Sequence, residues 1–197
     1  MPDVWLLSDP HLGHAHVAAT RGFDTVEEHD RVILANLRRA LRPHSICWWL
    51  GDVALGGWRD RLPQIAALPG THRLVLGNHD RAHPLNPNGH SHQRDYLDVF
   101  ASVSTVATIR YEGVEWLLSH FPYDGDTPGR AEDRHLAWRP RDLGQPILHG
   151  HTHSLDRFSL SMAGTPQVHI GVDAWGLKPV SLHEATQLLY TEGKWTL

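Results

Sequence analysis

Five short apolar runs in this 197-residue chain stop on the same kind of residue. "VWLLSD" ends at Asp9 and leads to His11; "CWWLGD" ends at Asp52; "LVLGNHD" ends at Asn78, His79 and Asp80. "EWLLSH" ends at His120, and "PILHGH" ends at His151 with His153 two residues on. Each run is too brief to give a helix its own hydrophobic face, so each reads as a buried strand. A strand that merely turned at the surface could use Gly and Asn, but it has no need of carboxylates and imidazoles. In open α/β sheets, ligands gather beyond the carboxyl ends of the strands. The fold must therefore bring five separated segments to one spot.

The segments between the runs fit that demand. Residues 25–42 form an amphipathic helix with Val26, Val32, Ile33, Leu37 and Leu41 on one stripe, opened by a Thr25/Glu28 capping box. A second helix follows at 58–67. With strands at 4–9, 45–52 and 72–78, the alternation predicts a parallel β-α-β-α-β start with right-handed crossovers. Later, 101–111 and 114–120 read as a strand pair joined at Glu112-Gly113. Two more strands, at 146–151 and 167–173, precede a helix at 181–190 with Ser181 and Glu184 spaced for capping. No repeat or linker interrupts the chain, so 1–197 reads as one domain. Segments 81–92 and 123–146 look irregular, and the length of the second marks it as a functional loop.

Composition sets the outer limits. Seventeen histidines stand against 22 acidic residues, a supply of metal ligands and proton carriers. A net charge of −4 argues against an extended footprint for duplex nucleic acid. The single cysteine, Cys47, rules out an internal disulfide and thiolate metal clusters. No apolar stretch approaches the ~18 residues of a membrane span. The start lacks a basic n-region, so no signal peptide is read there and a cytoplasmic location is expected.

Local spacing adds to the convergence. Pro10 is expected to hold Asp9 extended, and residues two apart in extended chain share a face. Asp9 with His11, and His151 with His153, would then point together. Glycines 51, 77 and 150 allow turning or close approach just before the ligands. Taken singly these motifs say little; their order along the chain says more.

The ordered set Asp9-Pro10-His11, Gly51-Asp52, Gly77-Asn78-His79-Asp80, His120 and Gly150-His151-Thr152-His153 resembles the calcineurin-like metallophosphoesterase superfamily. The match spans residues 9–153. Within the superfamily it looks most like the short bacterial and phage phosphoesterases that open with "SDPHLGH" followed by Arg-x-Phe, here Arg21-Gly22-Phe23. The resemblance implies an α/β sandwich of two mixed β-sheets packed face to face and flanked by helices. It also implies two divalent metals at the sheet ends, one held by Asp9, His11 and His153, the other by Asn78, His120 and His151. Asp52 would bridge them. Oxygen and nitrogen ligands without sulfur suit Mn²⁺, Fe or Zn²⁺, with Mn²⁺ favoured.

The implied activity is hydrolysis of a small phosphodiester, such as a cyclic nucleotide or a nucleic-acid end, by metal-bound hydroxide. Phosphomonoester or nucleotide hydrolysis is the alternative. His79, beside a ligand but assigned no metal, would protonate the leaving oxygen. Arg21 and His14 are candidate substrate contacts. Asp80 is adjacent to His79, and Asp173 and His169 on the late strand could support the ligands from behind. Arg130, Arg134, Arg139 and Arg141 in the long loop could meet an anion, and Trp138 or Trp175 could stack on a base or pack in the core. Phosphoprotein phosphatases follow their Gly-Asp with Asp and Arg; "GDVALGGW" carries neither nearby and argues against that activity. A scaffold that had lost the chemistry should show damaged ligands, and all seven are intact. In a metal-dependent amidohydrolase, H-x-H would be expected on an early strand, whereas here it comes last.

Overall fold

The computed structural model, which describes residues 3–192, sorts the apolar runs into two sheets. In the first, β1 (Val4–Leu7), β2 (Ile46–Trp49), β3 (Thr71–Val75) and β4 (Ser102–Ser104) run parallel, and β10 (Val180–Ser181) closes the β1 edge antiparallel. Helices α1 (Ala15–Thr20) and α2 (Val26–Ala40) connect β1 to β2; α3 (Trp58–Ala66) and α4 (Gly89–Leu97) make the next two crossovers. Alternation along the strands divides the side chains. Leu6, Trp48 and Val75 face the second sheet, while Leu7, Cys47, Trp49 and Leu74 face the helices. Both faces are therefore apolar, as buried parallel strands require.

The second sheet has the order β5-β6-β7-β9-β8: β5 (Val106–Tyr111), β6 (Val114–Ser119), β7 (Ile147–His149), β9 (Pro166–His169) and β8 (Phe158–Leu160). Trp116, Leu118, Leu148 and Val168 meet the first sheet, and α5 (Leu182–Thr191) adds Leu182, Ala185 and Leu189 to the same core. Each leucine and valine among them contributes about 1.5–3 kcal/mol on burial. On the other face, Gln167 Oε1 accepts from Tyr123 N at 2.8 Å, and Tyr123 OH donates to Gln145 O at 2.7 Å, tying down segment 123–146.

The expected mixed sandwich with flanking helices is what the structure shows, with revisions. The parallel opening holds, and Thr25 and Ser181 cap α2 and α5 by accepting from Glu28 N and Glu184 N. The run 101–111 is two strands, not one: β4 belongs to the first sheet and β5 to the second, so the chain changes sheets at Thr105. The Glu112-Gly113 hairpin turn is present, with φ of 48° and 83°. Part of 81–92 and the residues after it form α4, and β8 was not expected at all. The strand read at 167–173 ends at His169 and passes into a 3₁₀ turn at Val172–Trp175.

That passage returns the chain to the first sheet. Ile170 N donates to His149 O at 2.8 Å, while Ile170 O accepts from Ser8 N at 3.2 Å and Val172 N donates to Ser8 O at 3.0 Å. The two sheets are thus sewn together immediately beside Asp9.

Candidate metal centre

All seven expected ligands lie at the strand ends where the sheets meet. Asp9, His11, Asp52, His120 and His151 are almost wholly buried. The side chains do not converge by simple alternation. Asp9, His11, Asp52, His151 and His153 have φ of 57°, 49°, 53°, 70° and 52°. The expectation that Asp9 and the H-x-H pair are extended is therefore corrected: each turns in the left-handed region. Non-glycine residues adopt that region at a cost, and such strain gathers at functional sites. Gly51, at φ 90°, packs so tightly that a Cβ there would come within 2.7 Å of His120 Nδ1. At Gly150 a Cβ would collide with Ser8 Oγ and lie 2.5 Å from Asp9 Oδ2.

Two overlapping groups of donor atoms form, each within 4.8 Å: Asp9, His11 and His153, and Asp9, Asp52 and His120. Asp52 Oδ2 stands between them, 3.7 Å from His11 Nε2 and 3.5 Å from His120 Nε2. Asn78 Oδ1 lies 3.1 Å from His120 Nε2, and the His120 and His151 rings are 5.2 Å apart. Asp9 Oδ1 is buried with no hydrogen-bond partner and faces His11 Nε2 and His153 Nε2, both at 3.9 Å. That is too long for a hydrogen bond but close to the roughly 3–3.5 Å between ligands sharing one cation. These residues fit divalent cations.

Outer partners fix the histidine tautomers. His153 Nδ1–H donates to Asp173 Oδ2 at 2.9 Å, and His120 Nδ1–H donates to Leu50 O at 2.8 Å. Both leave an Nε2 lone pair facing the site. His151 Nε2 meets Asp126 Oδ2 at 3.4 Å, which leaves its Nδ1 lone pair unengaged. Electrostatics agree. Burial pushes His11 and His120 below the ordinary imidazole range and brings His151 to about 2, so these rings carry free lone pairs at neutral pH. Burial also works against protonation of His153, but its bond to Asp173 outweighs this and raises it. Asp52 is pushed up by burial and by Asp9. Keeping both carboxylates ionised calls for added positive charge.

Behind Asp173 runs a chain of alternating polar groups. Arg21 donates to both Asp173 oxygens at 2.7 Å and to Asp9 O at 2.8 Å and Pro10 O at 3.2 Å. His29 Nε2 accepts from Arg21 at 3.0 Å, His29 Nδ1–H donates to Asp30 at 3.0 Å, and Arg61 closes the chain on Asp30 at 3.0 Å. Arg21, expected to contact substrate, lines the cavity over these ligands, and each of its nitrogens is also engaged inside the protein. The sequence did carry a signal for His29 and Asp30, because both lie on the buried face of α2 among apolar neighbours.

Asp126 was also missed. Its side chain, 2% exposed, accepts from Arg134 at 2.6 Å and Arg139 at 3.2 Å while meeting His151. Two of the four loop arginines therefore position the loop, and Arg134 also lines the cavity. That cavity, about 500 Å³, lies over the ligands and is lined further by His14, His16, Thr127 and Leu155. His14 caps α1, its Nδ1 accepting from Val17 N at 3.3 Å. His79 is 42% exposed, with Nε2 4.0 Å from Asp52 Oδ2 and its backbone N donating to Asp52 Oδ1 at 2.8 Å. Burial, then His120 and His14, lower it to about 4. Asp80 does not hold the His79 ring; it accepts from Gly77, Asp52 and Val53 N. His169 is buried with neither ring nitrogen bonded, Trp175 is packed in the core, and Trp138 is 39% exposed.

No family model matches the chain. It is 40% identical to the gene 66 protein of Mycobacterium phage L5 over 187 residues, covering 89% of each. The gene 66 protein of Mycobacterium phage D29 is 41% identical over 183 residues, covering 89% of this chain and 90% of the phage protein. Among solved structures, a protein of unknown function from Aquifex aeolicus superposes with a TM-score of 0.71 at 22% identity, over 95% of this chain and 100% of that one. It shares the fold. Among the described residues no helix is long and apolar enough to cross a membrane.

Proposed function

The chain belongs to the family of the mycobacteriophage gene 66 proteins, and we propose that it is a dinuclear metal-dependent phosphoesterase, with small phosphodiesters such as cyclic nucleotides or nucleic-acid ends as substrates. One observation carries the reading: Asp52 Oδ2 stands between His11 and His120, at 3.7 and 3.5 Å, where a bridging carboxylate belongs. Asp9, His11 and His153 would hold one cation, Asn78, His120 and His151 the other, and Mn²⁺ suits these donors, with Fe or Zn²⁺ as alternatives. A pair of divalent cations held by these residues would supply water activation and offset the phosphoryl charge.

The residues do the rest. Asp173, Leu50 O and Asp126 hold the three imidazoles in the tautomers that present lone pairs. Arg21 positions Asp173 and the Asp9 backbone. His79, neutral at pH 7 by its lowered pKa, sits at the mouth beside Asp52. For His79 to protonate the leaving oxygen, the phosphate anion alongside would have to favour the imidazolium by more than the neighbouring cations oppose it. His14 and Arg134 line the cavity as substrate contacts.

The test compares bis(p-nitrophenyl) phosphate with p-nitrophenyl phosphate, using metal-stripped protein resupplied with Mn²⁺, Zn²⁺, Fe²⁺ or Mg²⁺. Metal-dependent diester turnover, absent in Asp52→Asn, is expected. A monoester preference would replace the diesterase with a phosphatase, and no turnover despite two bound cations would refute the enzyme.

A further inference from the structure

A second cavity, about 480 Å³, opens between the sheets at the other end of the sandwich. Val4 and Ile46, which begin β1 and β2, line it, so it lies toward the amino ends of the parallel strands, opposite the metal centre. Its unusual member is Arg73. Arg73 is in register with Trp48 and two residues before Val75, both of which face the second sheet, so it points inward between the sheets. Its guanidinium carbon lies 5.4 Å from the Trp48 ring centroid, and its Nε is buried without a hydrogen-bond partner. Among the described residues it enters no ion pair. Among the described residues Asp3 is the one carboxylate lining the cavity, and it already accepts from Trp5 Nε1 at 2.7 Å and Ser45 Oγ at 3.0 Å.

Arg73 is half-buried, and its buried Nε has no acceptor, a group that an incoming acceptor would satisfy. The remaining walls favour an anion. Leu182 and His183, in the first turn of α5, line the cavity, and a helix N-terminus attracts negative charge. Arg110 adds a second cation, although it pairs with Glu115 at 3.7 Å. Val4, Ile46, Ile109 and the Tyr111 ring supply apolar surface, and the volume is that of a small-molecule site.

We propose that this cavity binds a small amphipathic anion, its carboxylate or phosphate head on Arg73 and its apolar or aromatic body against Val4, Ile46 and Ile109. The site is independent of the metal centre and of the phosphoesterase reading.

Titration of the full-length ¹⁵N-labelled protein with 3-phenylpropionate and phenyl phosphate tests it, with 3-phenylpropanol as the neutral control. Both anions should shift the amides of Arg73, Ile109 to Tyr111 and Leu182 to His183, and the alcohol should bind at least about tenfold more weakly. Phenyl phosphate that shifts only residues around Asp9 and Asp52 would be occupying the metal centre and would count against the proposal. Arg73→Met should abolish both responses while melting close to wild type, since it keeps the volume and gives up only the contact with the Trp48 ring. No shift at these amides up to about 10 mM of either anion, or equal binding to Arg73→Met, would overturn the proposal.

Discussion

Asp173→Asn removes one charge and almost no volume, and the structure says where the damage should fall. Asp173 accepts two N–H groups from Arg21, each at 2.7 Å, and one from His153 at 2.9 Å. An amide offers one oxygen and one NH₂, so a donor must face a donor, at Arg21 or at His153. Breaking a buried pair from one side costs about 3–5 kcal/mol. Arg21, 6% exposed, keeps its bonds to Asp9 O, Pro10 O and His29, which reduces the expected loss of folding stability to about 2–4 kcal/mol. Losing a ligand's outer partner weakens a metal about 10- to 100-fold, or about 1.4–2.7 kcal/mol. Only His153 among the expected ligands bonds to Asp173, so one cation should suffer and the other should not. Calorimetric titration of metal-stripped wild type and variant with Mn²⁺ should show two binding steps, one weakened within that range and one unchanged. Equal weakening of both steps, or unchanged binding beside a lowered melting temperature, would refute the argument.

Three further outcomes follow from single contacts. His79→Gln should slow alkyl esters by about 10²–10⁴-fold and spare nitrophenyl esters, whose leaving groups need no proton; equal losses would exclude proton donation. Gly150→Ala puts a methyl 2.5 Å from Asp9 Oδ2 without any φ penalty; it should cost about 1–3 kcal/mol by overpacking and lose one cation, and wild-type Mn²⁺ affinity would contradict the tight contact. Asp142 is lowered below 3.8 because, although burial opposes this, Ser161 Oγ, Gly144 N and Thr165 Oγ1 donate to it. A depressed carboxylate stabilises the fold above its unfolded pKa and loses that contribution as pH falls through the folded value. Amide exchange across β8 and β9 should therefore accelerate below about pH 4 in wild type but not in Asp142→Asn, and parallel profiles would argue against the clip.

The parallel half of the fold was legible because strands buried on both faces leave continuous apolar runs, and because α2 and α3 carry an apolar stripe. The later elements were less so. In α4 only Gly89 and Tyr96 are buried, so no periodic pattern marks it. The β4–β5 boundary is invisible to a pattern of alternating residues, because the strand character continues on both sides of Thr105 while the partner sheet changes. At the site, residue types and order picked out seven side chains that the fold gathers where the sheet ends meet, five of which fall in the two groups of clustered donor atoms. The means of convergence did not follow, since left-handed φ at Asp9 or His153 reflects tertiary packing that overrides local preference. Arg21 and Asp126 show a similar limit: whether an arginine is free or a loop aspartate is buried depends on partners distant in the chain. For Arg21 the partner is 152 residues away.

The stitching of Ser8 to Ile170 and Val172 bears on how such a chain would acquire the proposed cations. Donors at residues 9 and 153 share one position, so no fragment released early from the ribosome holds a complete set. Under the proposed reading, metal capture would come after the late strands have docked against the first. An ion held there would tie the two sheets across the seam, and the melting temperature would then rise with free metal concentration by mass action. A chelator should consequently loosen the join between the sheets before it unfolds either one.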